Sequence, residues 1–134
     1  MDRNDIRKLF DAKDRFGAKL TGVRFVDASA GYSRCSLTVE DHHLNNHDIL
    51  HGGAIFTLVD MAAGTAAATD REDFVTLTTN ITYSAPGYPG ETIYAEAKIS
   101  GRSKRMSNYI VTVTNESGKI LATATAIVYD RAPK

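Results

Sequence analysis

The chain has 134 residues, 43% hydrophobic and 24% charged, the make-up of one soluble globular domain over 1–134 with no room for a second. Sixteen Lys and Arg balance sixteen Asp and Glu, so no broad positive field exists to attract a nucleic acid or an anionic membrane, and neither is expected as a partner. The single cysteine, Cys35, has no internal disulfide partner, the N-terminus is charged and no apolar run is long enough to span a bilayer; together these point to the cytoplasm.

Residues 1–17 are expected to hold a short helix. Ile6, Leu9, Phe10 and Phe16 recur at helical spacing, with Asn4 as N-cap and Gly17 as the stop. Residues 19–40 read as two strands split at Ala30 and Gly31, because Cys35, Leu37 and Val39 alternate with polar neighbours. A polar loop, Asp41 to Asp48, precedes the most apolar stretch of the chain, Ile49 to Thr69. Its length and alanine content favour a helix, and its apolar residues cover nearly every direction around a helical wheel, which predicts burial on most sides. Beyond Asp73 four strands are expected, 74–83, 92–100, 106–115 and 119–129, with a tight hairpin at Asn115 to Gly118. Short links make neighbouring strands antiparallel. An all-round apolar helix needs a surface that wraps it, so the pattern gives an α+β fold, a curved antiparallel sheet around one long central helix.

Asp60 is the conspicuous polar residue of that helix. A carboxylate among Phe56, Val59 and Met61 must be paired, protonated or turned toward a cavity, and taken alone it reads as a structural acid bonded to a nearby Thr or amide. The residues upstream change that reading. His51, Gly52 and Gly53 stand where loop becomes helix, and two glycines there let another molecule approach the free, partly positive amides of a helix N-terminus. Such amides hold a carbonyl oxygen as it gains negative charge. Asn45, six residues before His51, supplies an amide that can orient water or a carbonyl. His43, His47 and His51 recur every fourth residue, but the intervening Asn45, Asn46 and Asp48 favour turns, so no metal site is expected.

The stretch Asn45 to Asp60, NNHDILHGGAIFTLVD, followed by NITYSAP at Asn80 to Pro86 and by Gly90, resembles the hotdog-fold acyl-CoA thioesterases, most closely the phenylacetate-pathway type. The resemblance implies that the Gly52 amide polarises a thioester carbonyl and that Asp60 is nucleophile or general base. It also implies that Asn45 and His51 position water or substrate and that Thr76 helps hold the attacking water. Gly53 and the basic run Arg102, Ser103, Lys104 and Arg105, otherwise a solvated turn, would contact coenzyme A, whose phosphates suit Arg and Lys. No cofactor is implied. Asp48 stands where many relatives have glycine. The resemblance further implies a homodimer with active sites at the subunit boundary, pairing again as a dimer of dimers. Helix geometry favours the shared site independently: Gly52 and Asp60 are eight residues, about 12 Å, apart on one helix, whereas antiparallel helices across a two-fold axis bring Asp60 of one chain to Gly52 of the other. Two other functions are compatible with such a chain, a non-catalytic acyl-CoA sensor and a hydratase or dehydratase on the same fold.

Overall fold

The computed structural model describes all 134 residues. Helix α1, Arg3–Lys13, starts two residues earlier than the sequence suggests: Asp2, not Asn4, is the cap, accepting from the Asp5 amide while the Asp5 carboxylate accepts from the Asp2 amide. Gly17 does not end it. Asp14 does, and the chain continues into a π-helical turn, Arg15–Thr21, closed by Gly22 with φ +90°.

Six strands follow the expected spans: β1 (Arg24–Ser29), β2 (Tyr32–Thr38), β3 (Phe74–Tyr83), β4 (Thr92–Arg102), β5 (Met106–Thr114) and β6 (Ile120–Asp130). They form one antiparallel sheet in the order β1-β2-β4-β5-β6-β3. Helix α2, Gly52–Ala67, enters the chain between β2 and β3 and lies in the curve of the sheet. Alternation does the sorting. Ser33, Cys35 and Leu37 of β2, Ile93, Ala95 and Ala97 of β4, and Tyr109, Val111 and Val113 of β5 all turn inward onto α2. A single apolar cluster of 28 buried residues fills the space between helix and sheet, so the sheet and α2 share one core.

The helix is less enclosed than its composition suggests. Ile55, Leu58, Val59, Ala62 and Ala66 are buried, but Gly53, Phe56 and Asp60 are exposed and share one face with the half-buried Thr57. The sheet wraps one side of α2 and leaves this stripe open. Beside it runs β3, which pairs only with β6 and presents its second edge, together with exposed Val75 and Leu77, to the surroundings.

Candidate active site

The loop before α2 is built to hold Asn45 still. Leu44 and Leu50 form an isolated bridge, the Asn45 amide donates to the Ile49 carbonyl at 2.8 Å, and the Asn45 side-chain oxygen accepts from the His47 amide at 2.8 Å. The carboxamide nitrogen has no acceptor within the chain and remains available to donate. Asp48 closes the loop with φ +59°, the left-handed conformation that glycine adopts freely. A glycine at position 48 would adopt this backbone without strain.

At the N-terminus of α2, His51 is the cap: its Nδ1 accepts from the Gly53 amide at 2.7 Å. The Ala54 and Ile55 amides both donate to the His51 carbonyl. Gly52 is the exception. As the first helical residue its amide has no acceptor from within the helix and finds none elsewhere in the chain. The result is a free N–H at the positive end of the helix dipole. Tyr83 packs on the same turn, donating its hydroxyl to the Gly52 carbonyl at 3.0 Å. A Cβ on Gly52 would lie 3.2 Å from the Tyr83 ring, and one on Gly53 would lie 2.9 Å from His51 Nδ1, so both glycines leave room that side chains would take. Asn45, Gly52 and Tyr83 line a cleft of about 470 Å³, with Leu50, Ile55 and Pro86 as its apolar wall.

Two turns further along α2 is Asp60, exposed on the open face rather than sealed in the core as its neighbours in sequence suggest. The packed apolar side chains at its base still withhold solvent from the carboxyl and push its pKa above the ordinary carboxylate value. The Thr76 hydroxyl beside it pulls the other way by hydrogen bonding, and the Asp14 carboxylate pushes it up further. Thr76 reaches Asp60 because of a bulge. In β3, Thr76 is opposite Val128 and Thr78 opposite Ile127, so Leu77 is an extra residue. Before it the even residues Phe74 and Thr76 are the less exposed ones; after it Thr79 and Ile81 are, and the exposed Tyr83 follows them on the same face by alternation, reaching the Gly52 carbonyl. One unpaired residue therefore lets a single strand send Thr76 to Asp60 and Tyr83 to Gly52. Neither Tyr83 nor the bulge is marked by a motif of its own in the sequence.

The remaining candidates are dispersed. His43 is buried, its Nδ1 accepting from the Glu40 amide and its Nε2 meeting the Thr21 carbonyl, and no three His, Cys, Asp or Glu side chains converge. Arg102, Ser103, Lys104 and Arg105 belong to the β4–β5 hairpin, at the far end of α2 from Gly52 in the same chain. Arg102 pairs with Asp70 at 2.9 Å and Arg105 donates to the Asp130 and Ala132 carbonyls. The hairpin's shape is set by a residue the sequence reading passed over. Arg71, almost fully buried, donates to the carbonyls of Ser103, Lys104 and Met106, to the Ser107 hydroxyl and to Asp130. Lys134 and Arg71 hold the Asp130 carboxyl well below its ordinary pKa.

The chain matches the model of the thioesterase superfamily over residues 47–122, more than half its length. It is 33% identical over 123 residues to human acyl-coenzyme A thioesterase 13, covering 90% of this chain and 87% of the relative. Among solved structures it resembles the PaaI protein from the phenylacetic acid degradation operon of Escherichia coli, with a TM-score of 0.83, 26% identity, and 87% and 85% of the two chains covered. It also resembles smu.793 of Streptococcus mutans bound to acetyl CoA, with a TM-score of 0.76, 30% identity, and 80% and 86% covered. With its six-stranded antiparallel sheet curved around α2 and these relatives, the chain belongs to the thioesterase superfamily as a hotdog-fold member of the PaaI type.

Proposed function

We propose that the protein hydrolyses an acyl-CoA thioester to the free acid and coenzyme A in active sites shared by two copies of the chain. The observation that carries this reading is the free Gly52 amide at the head of α2, on the same helix as an uncovered Asp60 whose carboxyl sits beside Thr76. The names of the human relative and the acetyl CoA bound to the streptococcal protein support the substrate class.

Along α2, Gly52 and Asp60 are about 12 Å apart, too far for one reacting carbon to touch both. An antiparallel pair of α2 helices about a two-fold axis removes the difficulty, and the open face of α2 with the unpaired edge of β3 offers the surface for it. In that pair the thioester oxygen sits on the Gly52 amide of one chain. The Asp60 carboxylate of the other either takes a proton from a water held by Thr76 and Asn45 as that water adds to the carbonyl carbon, or attacks the carbon itself to give a mixed anhydride that water then opens; on either route the C–S bond breaks and coenzyme A leaves as its thiolate, which takes up a proton. His51 keeps the helix head in place, and Gly53 leaves the pantetheine arm room to pass. The hairpin with Arg102, Ser103, Lys104 and Arg105 of one chain would lie toward the Gly52 end of the other, where its cations can meet the phosphates of coenzyme A. A second pairing would give a dimer of dimers.

A single turnover in heavy-oxygen water tests the chemistry. Asp60→Asn should fold and lose turnover; label recovered in the Asp60 carboxyl identifies an anhydride opened at the Asp60 carbonyl, whereas label in the released acid alone fits either general-base attack or an anhydride opened at the acyl carbon, which trapping of the anhydride with hydroxylamine then separates. An Asp60→Asn variant as active as the parent would exclude Asp60 from the reaction.

A further inference from the structure

A backbone donor stabilises developing charge best when its direction is fixed in advance, and glycine is the residue type that least holds its own backbone in place. Of the four amides at the head of α2, three are taken: Gly53 donates to His51 Nδ1, and Ala54 and Ile55 both donate to the His51 carbonyl. Those last two bonds also hold the peptide plane between His51 and Gly52 from its carbonyl side. The next plane, between Gly52 and Gly53, is held at both ends by side chains. His51 Nδ1 accepts from its N–H at 2.7 Å, and the Tyr83 hydroxyl donates to its carbonyl at 3.0 Å.

Tyr83 is firmly mounted. It ends β3 opposite Ala122 of β6, and the two amides that follow it, Ser84 and Ala85, both donate to the Leu121 carbonyl. The phenol end of its ring lies 3.2 to 3.4 Å from where a Cβ on Gly52 would be, so the first turn of α2 meets a close steric stop as well as a hydrogen bond. Desolvation pushes the phenol's pKa above its ordinary value, which keeps the hydroxyl protonated and donating. The segment leading into the helix is tied down too, with the Leu50 amide donating to the Gly87 carbonyl and the His51 amide to the His43 carbonyl. With its neighbours fixed on both sides, the unused Gly52 N–H has one direction, beside the cleft that Asn45 and Tyr83 line.

Resting on the thioester hydrolysis argued above, we propose that Tyr83 is a positioning residue: through the Gly52 carbonyl it holds the Gly52 N–H in line for the oxyanion, without itself touching the reacting atoms. Its hydroxyl proton is engaged by that carbonyl, so Tyr83 gives no proton to the reaction. The hydrogen bond exists before substrate arrives, and its benefit is felt as the thioester oxygen gains charge. Its loss therefore falls on kcat rather than on KM.

Tyr83 is 48% exposed, and Tyr83→Phe keeps the ring while removing the hydroxyl, so the variant should fold. With the best substrate from a panel of acyl-CoA thioesters it should lower kcat about tenfold and leave KM unchanged. Amide relaxation measured by NMR on the substrate-free protein should show the Gly52 order parameter falling from about 0.85 toward about 0.6, with the rest of α2 unaltered. In an active parent, either change without the other overturns the proposal. So does a rise in KM at constant kcat, which would make Tyr83 a substrate contact, and so does loosening spread along α2, which would make it a packing residue. The two readings fail separately. A Gly52 amide set loose in the variant, in a protein that hydrolyses no thioester, removes the enzyme and keeps the clamp; hydrolysis with kcat and the Gly52 amide both unaltered removes the clamp and keeps the enzyme.

Discussion

Gly52 occupies the position where backbone identity and chemistry can be separated. Proline is well tolerated as the first residue of a helix, and His51, at φ −64° and ψ 136°, already has the backbone required before proline. Gly52→Pro therefore removes the free N–H with little damage to α2 and is expected to lower kcat on the order of 10²- to 10³-fold. Gly52→Ala adds a Cβ 3.2 Å from the Tyr83 ring but keeps the N–H, and should retain far more of the rate. Equal losses in both would make crowding by Tyr83, not the lost donor, the cause. Asp60 makes a complementary prediction about stability. The folded chain holds its carboxyl above the ordinary pKa, so an unfolded chain ionises at lower pH than a folded one. Stability contributed by the protonated acid is complete below about pH 4 and is lost as pH rises through the raised value. Asp60→Asn should thus melt at a higher temperature than the parent at pH 7, with the advantage vanishing below about pH 4; melting curves that differ equally at both pH values would contradict the raised pKa.

Among the elements, the long helix and the strands were legible because their periodicities are strong. The β3 span agrees residue for residue, and that of α2 lies within the expected range. What composition concealed was orientation. Phe56 and Asp60 lie amid residues that are buried, and nothing in a single sequence says that the sheet closes over one side of the helix only. The Leu77 bulge was hidden for a related reason: β3 is an edge strand exposed on both faces, so its alternation is weak. Long-range ties such as Arg71 to the β4–β5 hairpin have no local signature. The loop from Leu44 to Leu50 was readable only as turns, yet one of its residues can be tested directly. Asp48, at φ +59°, has a conformation that costs L residues roughly 1–2 kcal/mol, less for Asp than most. Asp48→Gly should leave the loop intact and raise stability by up to about 1 kcal/mol in urea unfolding, whereas Asp48→Val should lower it.

At the scale of the whole molecule, one chain holds every proposed participant but not within reach of one substrate carbon. Gly52 and Asn45 line one cleft at the helix head, while Asp60 is two turns away on the open face of α2 with Thr76 of β3 beside it. If the functional unit combines the first pair from one copy with the second from another, defects in the two pairs can be separated onto different chains. Gly52→Pro and Asp60→Asn proteins, each inactive alone, should regain activity when mixed, partly unfolded in urea and refolded together. Random pairing makes half the dimers mixed, and each mixed dimer has one site with an intact Gly52 and an intact Asp60 and one site with neither. The expected recovery is about a quarter of the parent's specific activity. Sites complete within a single chain would give no recovery at all, because every chain in the mixture then carries a defect in its own site. The same mixture passed through a sizing column without refolding should stay inactive for as long as the parent pairs remain unexchanged, which ties the recovered activity to reassortment of chains.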